Sequence, residues 1–533
     1  MNFLKEKSIY LLLFLTFLLY FQGVLKLPVM DRDEARFATA SKTMLENENF
    51  IDIRMHDEAR YKKPIGIYWI QSFSNYLFGK PPYDKIWIYR LPSLIGIILS
   101  LLLLFIFLRD VYTEKIAFLS VYFLTFSFLT VSEMHQAKTD ASLFLTVIFC
   151  NLIFLKGLHI NSISLTQKII FWISQAFGVL IKGPIIFIFT LLPILVTSLI
   201  QKNNFLSLIW SKRAFLIFLI ISVPWFVLIS YESDGLFWHE SVVHDLFNKI
   251  KSGQESHGFP PGYYLILMTL LFWPGVIFFP NFTRKIFTRW KKKNFNKDEL
   301  FLISWFFVPL FIYELVPTKL PHYIFPSYAA LSILISQSIV KKEWIGLSYK
   351  LSIFFLIFFP IVITSGIFYI VKEYSNLDLF FWIIIVLLAI LIFLNIYSIL
   401  QKKINFVLFF SGSFHVFIYL VAVYFLIPKL EKLWISEKIN NVVNLNIKNV
   451  DKILHFGFNE PSLIFLTSHK TIKKNILDYS GNVKSEKILY VVTDKYSKII
   501  SEDDRYSEFK LLEEFVGFNY SQGKKVKIKF FLN

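Results

Sequence analysis

Long apolar runs separated by short polar loops make up the chain from its first residues to about residue 427. Each run is close to the roughly 17–25 apolar residues that an α-helix needs to cross a bilayer. The pattern predicts an α-helical polytopic membrane protein with about thirteen transmembrane helices. The predicted spans begin near Ile9, Ile86, Ile116, Leu143, Ile169, Pro184, Ala214, Tyr263, Leu300, Tyr323, Leu351, Leu379 and Phe406. The fifth and sixth are short and meet at residues 182–184, so a re-entrant pair is an alternative there.

The charges of the short loops predict the orientation of these spans. With the N-terminus in the cytoplasm, every strongly basic short loop falls on the cytoplasmic side, in agreement with the positive-inside rule. These loops contain Lys202, Lys212 and Arg213, then Arg284, Lys285, Arg289, Lys291, Lys292, Lys293 and Lys297, then Lys341 and Lys342, and finally Lys402 and Lys403. The outer side receives the loops at about residues 26–85, 133–140, 232–262 and 317–322.

The C-terminal segment has a different composition from the rest of the chain. It is rich in Lys, Asp and Glu, and short β-like runs occur at residues 452–458, 488–493 and 526–531. We therefore expect two domains. Residues 1–427 would form the membrane domain, with its large first outside loop, and residues 428–533 would form a small α/β domain outside the membrane.

Composition narrows the class of protein further. Hydrophobic residues make up 55% of the chain, which a soluble protein of this length could not bury. The net charge of +18 resides mostly in loops between apolar runs, which argues for a membrane protein and against a nucleic-acid partner. The single cysteine, Cys150, lies within an apolar run and is expected to be a small core residue.

Charged residues on the first outside loop suggest chemistry at the membrane surface. Asp33 and Glu34 follow the first apolar run closely, and Asp33 and Arg36 would share one face if a helix began there. Asp33 could then serve as a general base, a metal ligand or an orienting group beside a cation that holds an anion. The alternative is a solvated loop whose acidic residues cap a helix near the membrane.

Lysines on the same side could bind a phosphate group. Lys62 and Lys63 precede Pro64 and an aromatic stretch that is typical of a membrane interface. Lys319 belongs to another short outside loop, and Asp140 adds a second carboxylate on the loop at residues 133–140. Taken alone, each lysine segment is better explained by lysines that extend towards water from a membrane face, and an ordinary polar loop explains the segment of Asp140 equally well.

A cluster of histidines leaves metal binding open. His239, His244 and His257 lie on one large outside loop with Glu240 and Asp245. The five-residue spacing of the first two is poor for a metal pair on an α-helix, where ligands four residues apart share a face. A polar surface loop is the alternative, and a divalent metal remains an open question.

Taken together, these segments resemble a known family of enzymes. The stretch from Asp33 to Ala38 is similar to the Asp-Glu-x-Arg-aromatic-Ala motif of the bacterial lipid A aminoarabinose transferases, which are GT-C glycosyltransferases related to the protein O-mannosyltransferases. Other matching stretches, in the same order, are Lys63-Pro64-Ile65, Tyr68-Trp69, Lys182-Gly183, Pro224-Trp225, Trp273-Pro274, Ser304-Trp305 with Pro309, and Lys319-Leu320-Pro321 with Tyr323.

The resemblance implies an enzyme of the bacterial inner membrane with the GT-C fold, whose N-terminus is cytoplasmic and whose C-terminal domain is periplasmic. Such an enzyme transfers a sugar from a polyprenyl-phosphate carrier to a lipid, glycan or protein at the outer membrane face, with inversion at the anomeric carbon when no covalent intermediate forms. By position, the resemblance implies Asp33 as the main catalytic carboxylate, Glu34 as a secondary one, Asp140 as the second carboxylate of the family, and Arg36, Lys63 and Lys319 as ligands of the donor phosphate.

Two features depart from the family pattern. The aminoarabinose transferases have Glu immediately before the Lys-Pro pair, where this chain has Lys62. That Glu is associated with metal binding in the family, so the resemblance does not decide whether a metal is bound here. The C-terminal segment matches less well, so neither the sugar nor the acceptor follows from the resemblance.

Two other classes of protein compete with the enzyme. A lipid or solute transporter needs polar groups or broken helices near the middle of the bilayer. In this chain the charges gather on the outside loops and the spans are largely apolar, which favours the enzyme. A non-catalytic scaffold that binds partners through its tail would not require the ordered set of motifs.

Overall fold

The computed structural model describes residues 6–56, 58–251, 258–292, 295–340, 347–467, 471–473, 487–497 and 509–533. The helices of the first half are α1 (Glu6–Lys26), α2 (Asp33–Glu46), α3 (Gly66–Phe78), α4 (Ile86–Val111), α5 (Glu114–Thr125), α6 (Phe128–Met134), α7 (Thr139–Ile160), α8 (Leu165–Lys182), α9 (Ile185–Phe189), α10 (Leu191–Gln201), α11 (Leu206–Ile209), α12 (Lys212–Glu232), α13 (Leu236–Trp238) and α14 (Asn248–Lys251). A π-helix, His239–Phe247, lies between the last two.

The second half continues with α15 (Tyr263–Leu271), α16 (Phe279–Lys291), α17 (Lys297–Leu315), α18 (Tyr328–Val340), α19 (Leu347–Tyr374), α20 (Leu379–Leu400), α21 (Ile404–Val421), α22 (Ile427–Lys429), α23 (Ile435–Asn446) and α24 (Pro461–Leu466). The strands are β1 (Arg54–Met55), β2 (Glu58–Ala59), β3 (Lys452–Phe456), β4 (Thr471–Lys473), β5 (Ile488–Thr493), β6 (Lys510–Asn519) and β7 (Lys524–Leu532). Short 3₁₀ turns precede α16 and α18.

The helical membrane architecture expected from the apolar runs is confirmed. The predicted start of each span lies within about one helical turn of the start of a helical segment. Within the described residues, eight segments are long and apolar enough to cross a membrane, and two bent helix pairs bring the number to ten. The pairs α5–α6 and α15–α16 bend by 66° and 113°. Three of the thirteen predicted spans are not among these ten segments. They correspond to α8, to α9 with α10, and to α17. The count of thirteen therefore stays a prediction.

The first outside loop is largely helical and packs against the membrane helices. A helix begins at Asp33, which is the condition under which Asp33 and Arg36 would share a face, and α2 buries Phe37, Ala40 and Met44 on one side. These side chains form a small core with residues of α3 and α12, including Trp225. The loop is therefore a rigid platform on the membrane domain, and it carries the charged residues singled out in the sequence.

The C-terminal segment contains the small sheet expected from its β-like runs. The predicted runs coincide with β3, β5 and β7, in a five-stranded sheet of order β4-β3-β5-β7-β6. Strand β3 runs parallel to both neighbours, whereas β7 is antiparallel to β5 and β6. Helices α23 and α24 cover one face, where Ile439, Leu463 and Val491 are among the buried side chains. The boundary at residue 428 stays a prediction.

Candidate active site

Asp33 occupies the first position of α2, shortly after the end of α1. The residue before it, Arg32, has φ 70° and ψ −119°, a backbone conformation that residues other than glycine rarely adopt. Asp33 is half-buried and lies at the positive end of the helix dipole. The local backbone thus directs the start of α2 and holds the carboxylate of Asp33 at its N-terminus.

Glu34 has a different environment from Asp33. Its side chain is fully buried, and the guanidinium of Arg90 on α4 donates to both carboxylate oxygens at 2.7 Å. The backbone N–H groups of Met30 and Ala137 donate to the same carboxylate at 2.9 Å. Through these bonds, Glu34 connects the first outside loop to α4 and to the second outside loop. A catalytic role for Glu34 stays a prediction, and this arrangement argues for an anchoring one.

Asp140 lies in the first turn of α7 and forms an ion pair with Lys182 in the last turn of α8. The Nζ atom of Lys182 lies 2.6 Å from Oδ1 of Asp140, and both side chains are largely buried. An acidic group at a helix N-terminus and a basic group at a helix C-terminus are each favoured by the helix dipole. Gly183 then ends α8 with φ 69°, a conformation that suits glycine and turns the chain away after Lys182.

A lysine and a histidine extend this pair into a larger network. The Nζ atom of Lys138 lies 2.9 Å from Oε1 of Glu133 and 3.2 Å from Nδ1 of His322. The Nε2 atom of His322 lies 3.8 Å from Oδ2 of Asp140. The ring of His322 therefore stands between Lys138 and Asp140, and it joins the second outside loop to the segment before α18.

Electrostatics connect Asp33 to the same network. Burial raises the pKa of Asp33, but the nearby charges of His322, Lys138, Arg60 and Lys63 outweigh it and hold that pKa below its ordinary value. Burial lowers the pKa of Lys138, yet the surrounding carboxylates raise it overall. Asp33 is thus kept ionised and Lys138 protonated, in a cluster where carboxylates and cations compensate one another.

Lys63 forms an ion pair with an acidic residue of the third outside loop. Its Nζ atom lies 2.5 Å from Oδ2 of Asp245, whose other oxygen lies 2.6 Å from Nζ of Lys249. Burial raises the pKa of Asp245, but the two lysines lower it overall to about 2. Burial also lowers the pKa of Lys63, and Asp245 opposes that effect. Two ammonium groups therefore converge on one carboxylate, an arrangement that would also suit a phosphate.

The structure places the remaining predicted residues less centrally. Arg36 is half-buried on α2, about one helical turn beyond Asp33, as the spacing predicted. Lys319 is buried, and its ammonium donates to the carbonyl oxygen of Val316 within its own loop. Phosphate binding by either residue stays a prediction.

A separate group of side chains on the π-helix could hold a metal ion. Ligand atoms of His239, Glu240 and His244 all lie within 4.8 Å of one another. The expectation that a five-residue spacing keeps the two histidines apart was wrong, because a π-helix closes its hydrogen bonds five residues on and brings such residues together. Imidazole and carboxylate donors fit a divalent cation such as Zn²⁺. His257 lies outside the described residues.

Five residues of the cluster were not selected in the sequence as site residues. Glu133, Lys182 and Arg60 lie next to motifs or predicted site residues, but the sequence assigned no role to them. Lys138 and His322 belong to outside loops that carried predicted residues. Their shared placement on the outer side was the available signal, and only the packing of α6, α7, α8 and the segment before α18 brings them into contact.

Comparisons with known proteins show which proteins the chain resembles. Residues 62–227 match the family described as dolichyl-phosphate-mannose-protein mannosyltransferase. The undecaprenyl phosphate-alpha-4-amino-4-deoxy-L-arabinose arabinosyl transferase of Erwinia tasmaniensis is 28% identical over 348 residues, 63% of this chain and 60% of that protein. A second such transferase, from Proteus mirabilis, is 27% identical over 57% of this chain and 54% of its own length. The matched regions thus span less than two thirds of these relatives.

The overall structure provides the more complete match. The crystal structure of ArnT from Cupriavidus metallidurans bound to undecaprenyl phosphate superimposes with a TM-score of 0.74 at 17% identity, covering 98% of each chain. That likeness concerns the fold, and it includes the small C-terminal domain. The chain is therefore a multi-span membrane protein with the GT-C fold, and in sequence it resembles the aminoarabinose transferases.

Proposed function

We propose that this chain is a membrane glycosyltransferase that moves a sugar from a polyprenyl-phosphate carrier to a lipid, glycan or protein acceptor. The reaction would occur at the outer face of the bacterial inner membrane, with the N-terminus in the cytoplasm. The observation that carries the proposal is the cluster of charged side chains beside Asp33, in which Lys182 pairs with Asp140, Lys138 pairs with Glu133, and the ring of His322 lies between Lys138 and Asp140. The similarity to the arabinosyl transferases supports the same chemistry.

In the proposed reaction, the bond between the anomeric carbon and the carrier phosphate breaks, and its electron pair passes to the phosphate oxygen. Lys63 and Lys249, which converge on Asp245, would stabilise that developing charge, with Arg36 and Lys319 as further candidates. The acceptor oxygen attacks from the opposite face of the sugar, so the anomeric centre inverts. Its proton passes to Asp33, or Asp33 orients the acceptor where that group is itself a phosphate.

Asp140 would support the same step from the neighbouring loop. Its ion pair with Lys182 and its proximity to His322 fix the carboxylate at the N-terminal end of α7. Compensated in this way, Asp140 is suited to orienting the acceptor or a sugar hydroxyl without taking the proton itself. We keep Asp33 as the proton acceptor, because it lies at the first position of α2 and the cations of Lys138, Arg60 and Lys63 keep its carboxylate ionised.

The decisive experiment uses purified protein in nanodiscs and two radiolabelled donors. In one the sugar is linked to polyprenyl monophosphate, and in the other it is linked to a nucleoside diphosphate. Total envelope lipid and glycan extracts serve as acceptors, and mass analysis identifies the increment. We expect transfer from the lipid-linked donor alone, and its loss in Asp33→Asn. Transfer from the nucleotide sugar only, or lipid movement across the bilayer with no bond formed, would refute the proposal; the second outcome would favour a transporter.

A further inference from the structure

The segment just before Asp33 is in contact with the C-terminal domain. We propose that Asp31 and Arg32 are positioning residues, through which that domain holds the start of α2 so that Asp33 faces the reaction site. This inference rests on the proposed role of Asp33. The inference gives the C-terminal domain a role in transfer, although that domain is far from Asp33 in the sequence.

Three hydrogen bonds hold these two residues. The backbone N–H of Asp31 donates to the hydroxyl of Tyr520 at 2.8 Å, and the backbone N–H of Ser462 donates to Oδ1 of Asp31 at 3.0 Å. The Nη2 atom of Arg32 donates to the carbonyl oxygen of Ser521 at 2.7 Å. The contacts thus come from α24 and from the turn between β6 and β7, two separate parts of the C-terminal domain.

The two contacting parts are themselves tied together. Oε1 of Glu460, just before α24, accepts from Nδ2 of Asn519 at 2.7 Å and from Nε2 of Gln522 at 2.8 Å. Glu460 and Asn519 are both buried. These bonds join α24 to the β6–β7 turn, so the C-terminal domain presents one preformed surface to Asp31 and Arg32.

The backbone between these contacts is strained. Arg32 has φ 70° and ψ −119°, and such a conformation persists in a residue with a side chain only where its surroundings impose it. Here the hydrogen bonds to the C-terminal domain are made by the preceding residue, Asp31, and by the side chain of Arg32 itself. Released from them, the segment would relax towards an ordinary conformation, and the first turn of α2 would reorient with it.

Asp33 therefore lies between two anchors of different origin. On its C-terminal side, Glu34 is bound to Arg90 of the membrane domain. On its N-terminal side, Asp31 and Arg32 are bound to the C-terminal domain. Helix α24 also packs along α2, where Nζ of Lys42 donates to the carbonyl oxygen of Phe465 at 3.1 Å. A carboxylate held from both sides keeps its direction, which transfer needs more than donor binding does.

The test compares substitutions that break the contacts with conservative ones that keep them. Tyr520→Phe, Asp31→Ala and Arg32→Ala each remove hydrogen bonding between this segment and the C-terminal domain, whereas Asp31→Asn keeps the Oδ1 acceptor and Arg32→Lys keeps a donor. Tyr496→Phe is the matched control, because it removes a hydroxyl from the same domain at a residue that packs against Phe456. All variants are measured as full-length protein in nanodiscs.

We expect the three disruptive variants to lower kcat roughly 10-fold while KM for the lipid-linked donor changes less than about 2-fold, because misplacement affects the transition state rather than donor binding. The two conservative variants should recover most of the rate. In an Asp33→Asn background the disruptive variants should lower turnover no further, since they act through that carboxylate. Equal kcat for Tyr520→Phe and Tyr496→Phe would overturn the inference, as would a proportional rise in KM.

Hydrogen exchange at residues 31–36 provides a readout that does not depend on activity. The disruptive variants should increase exchange there, and the Tyr496→Phe control should not. Unchanged exchange in Tyr520→Phe and Asp31→Ala would overturn the inference even in an active enzyme. If the wild-type protein transferred no sugar from any donor, the proposed function would fail, and the exchange data would still decide whether the C-terminal domain holds this segment.

Discussion

Lys182 and Asp140 form a buried ion pair with 2.6 Å between Nζ and Oδ1, joining the end of α8 to the start of α7. The pair lies beside His322, and through it Asp140 belongs to the cluster that surrounds Asp33. A charged pair in this position does two things at once. It joins two helices, and it holds a carboxylate in the candidate active site.

These two effects can be separated by substitution. Asp140→Asn and Lys182→Met should each destabilise the protein by about 3–5 kcal/mol, because each leaves a buried charge without its partner. The double variant should recover most of that stability but not the transfer rate. Apparent Tm in detergent and transfer in nanodiscs provide the two measurements. Recovery of transfer in the double variant would show that Asp140 serves packing alone.

Asp33 and Glu34 are adjacent, yet we expect opposite consequences from their amide substitutions. Asp33→Asn should leave Tm nearly unchanged and lower transfer by about 10²–10⁴-fold, the usual range for a positioned acid–base group. Glu34→Gln should lower Tm strongly, because the buried guanidinium of Arg90 loses its charged partner. Thermal unfolding and single-turnover transfer, measured on the same preparations, provide the comparison. Near-normal transfer by Asp33→Asn would remove it from the mechanism.

Lys63 is expected to act on the donor phosphate. Lys63→Ala should weaken use of the polyprenyl-phosphate donor more than Lys63→Arg does, because arginine keeps the charge but changes its geometry. Lys85→Ala, at an exposed lysine of the same outside loop, is the matched control. Donor titrations in nanodiscs would measure the change. Equal behaviour of Lys63→Ala and Lys85→Ala would exclude the assigned role.

The raised pKa of Asp31 predicts that the stability of the protein depends on pH. Burial among α24 and the β6–β7 turn, together with the nearby Glu460, raises the pKa of Asp31 to about 6, against the lowering effect of hydrogen bonds from Ser462 and Tyr520. The native state thus binds this proton more tightly than the unfolded chain does. The associated stability is fully present below the unfolded pKa of 3.8 and is lost as the pH rises through about 6.

The comparison that isolates this group is Asp31→Asn, which imitates the protonated side chain. The Tm of the variant minus that of the wild type should increase between pH 4 and pH 7. Scanning fluorimetry in detergent at constant ionic strength would measure it. A difference that stays constant or decreases over this range would contradict the expected sign.

Orientation in the membrane is tested by labelling single cysteines from outside. In a Cys150→Ala background, Asn47→Cys on the first outside loop and Lys525→Cys in the C-terminal domain should react with an impermeant maleimide in intact cells whose outer membrane is permeable to it. Asn203→Cys, on a predicted cytoplasmic loop, should react only after lysis. All three positions are exposed in the structure. The reverse pattern would invert the proposed topology.

Several features followed from the sequence by itself, because they depend on local composition. Apolar runs longer than a bilayer is thick must become helices, since each backbone polar group needs a partner within the same segment. The strands β3, β5 and β7 were likewise predicted from short β-like runs, whereas a helix from Asp33 was only one of two alternatives. The ordered motifs added the resemblance to the transferases, and with it Asp33, Asp140 and Lys63.

Only the tertiary structure decided how those residues are used. Asp33 and Glu34 are adjacent carboxylates, and charge pattern alone does not separate them. Packing pairs Glu34 with Arg90 and places Asp33 in the cluster. Lys182 meets Asp140 across 42 positions of the chain, and Ser462 meets Asp31 across 431. Such contacts depend on how helices and domains pack, which is a property of the whole fold and leaves no local periodicity in the chain. The same holds for His239 and His244, which a π-helix brings together where an α-helix would not.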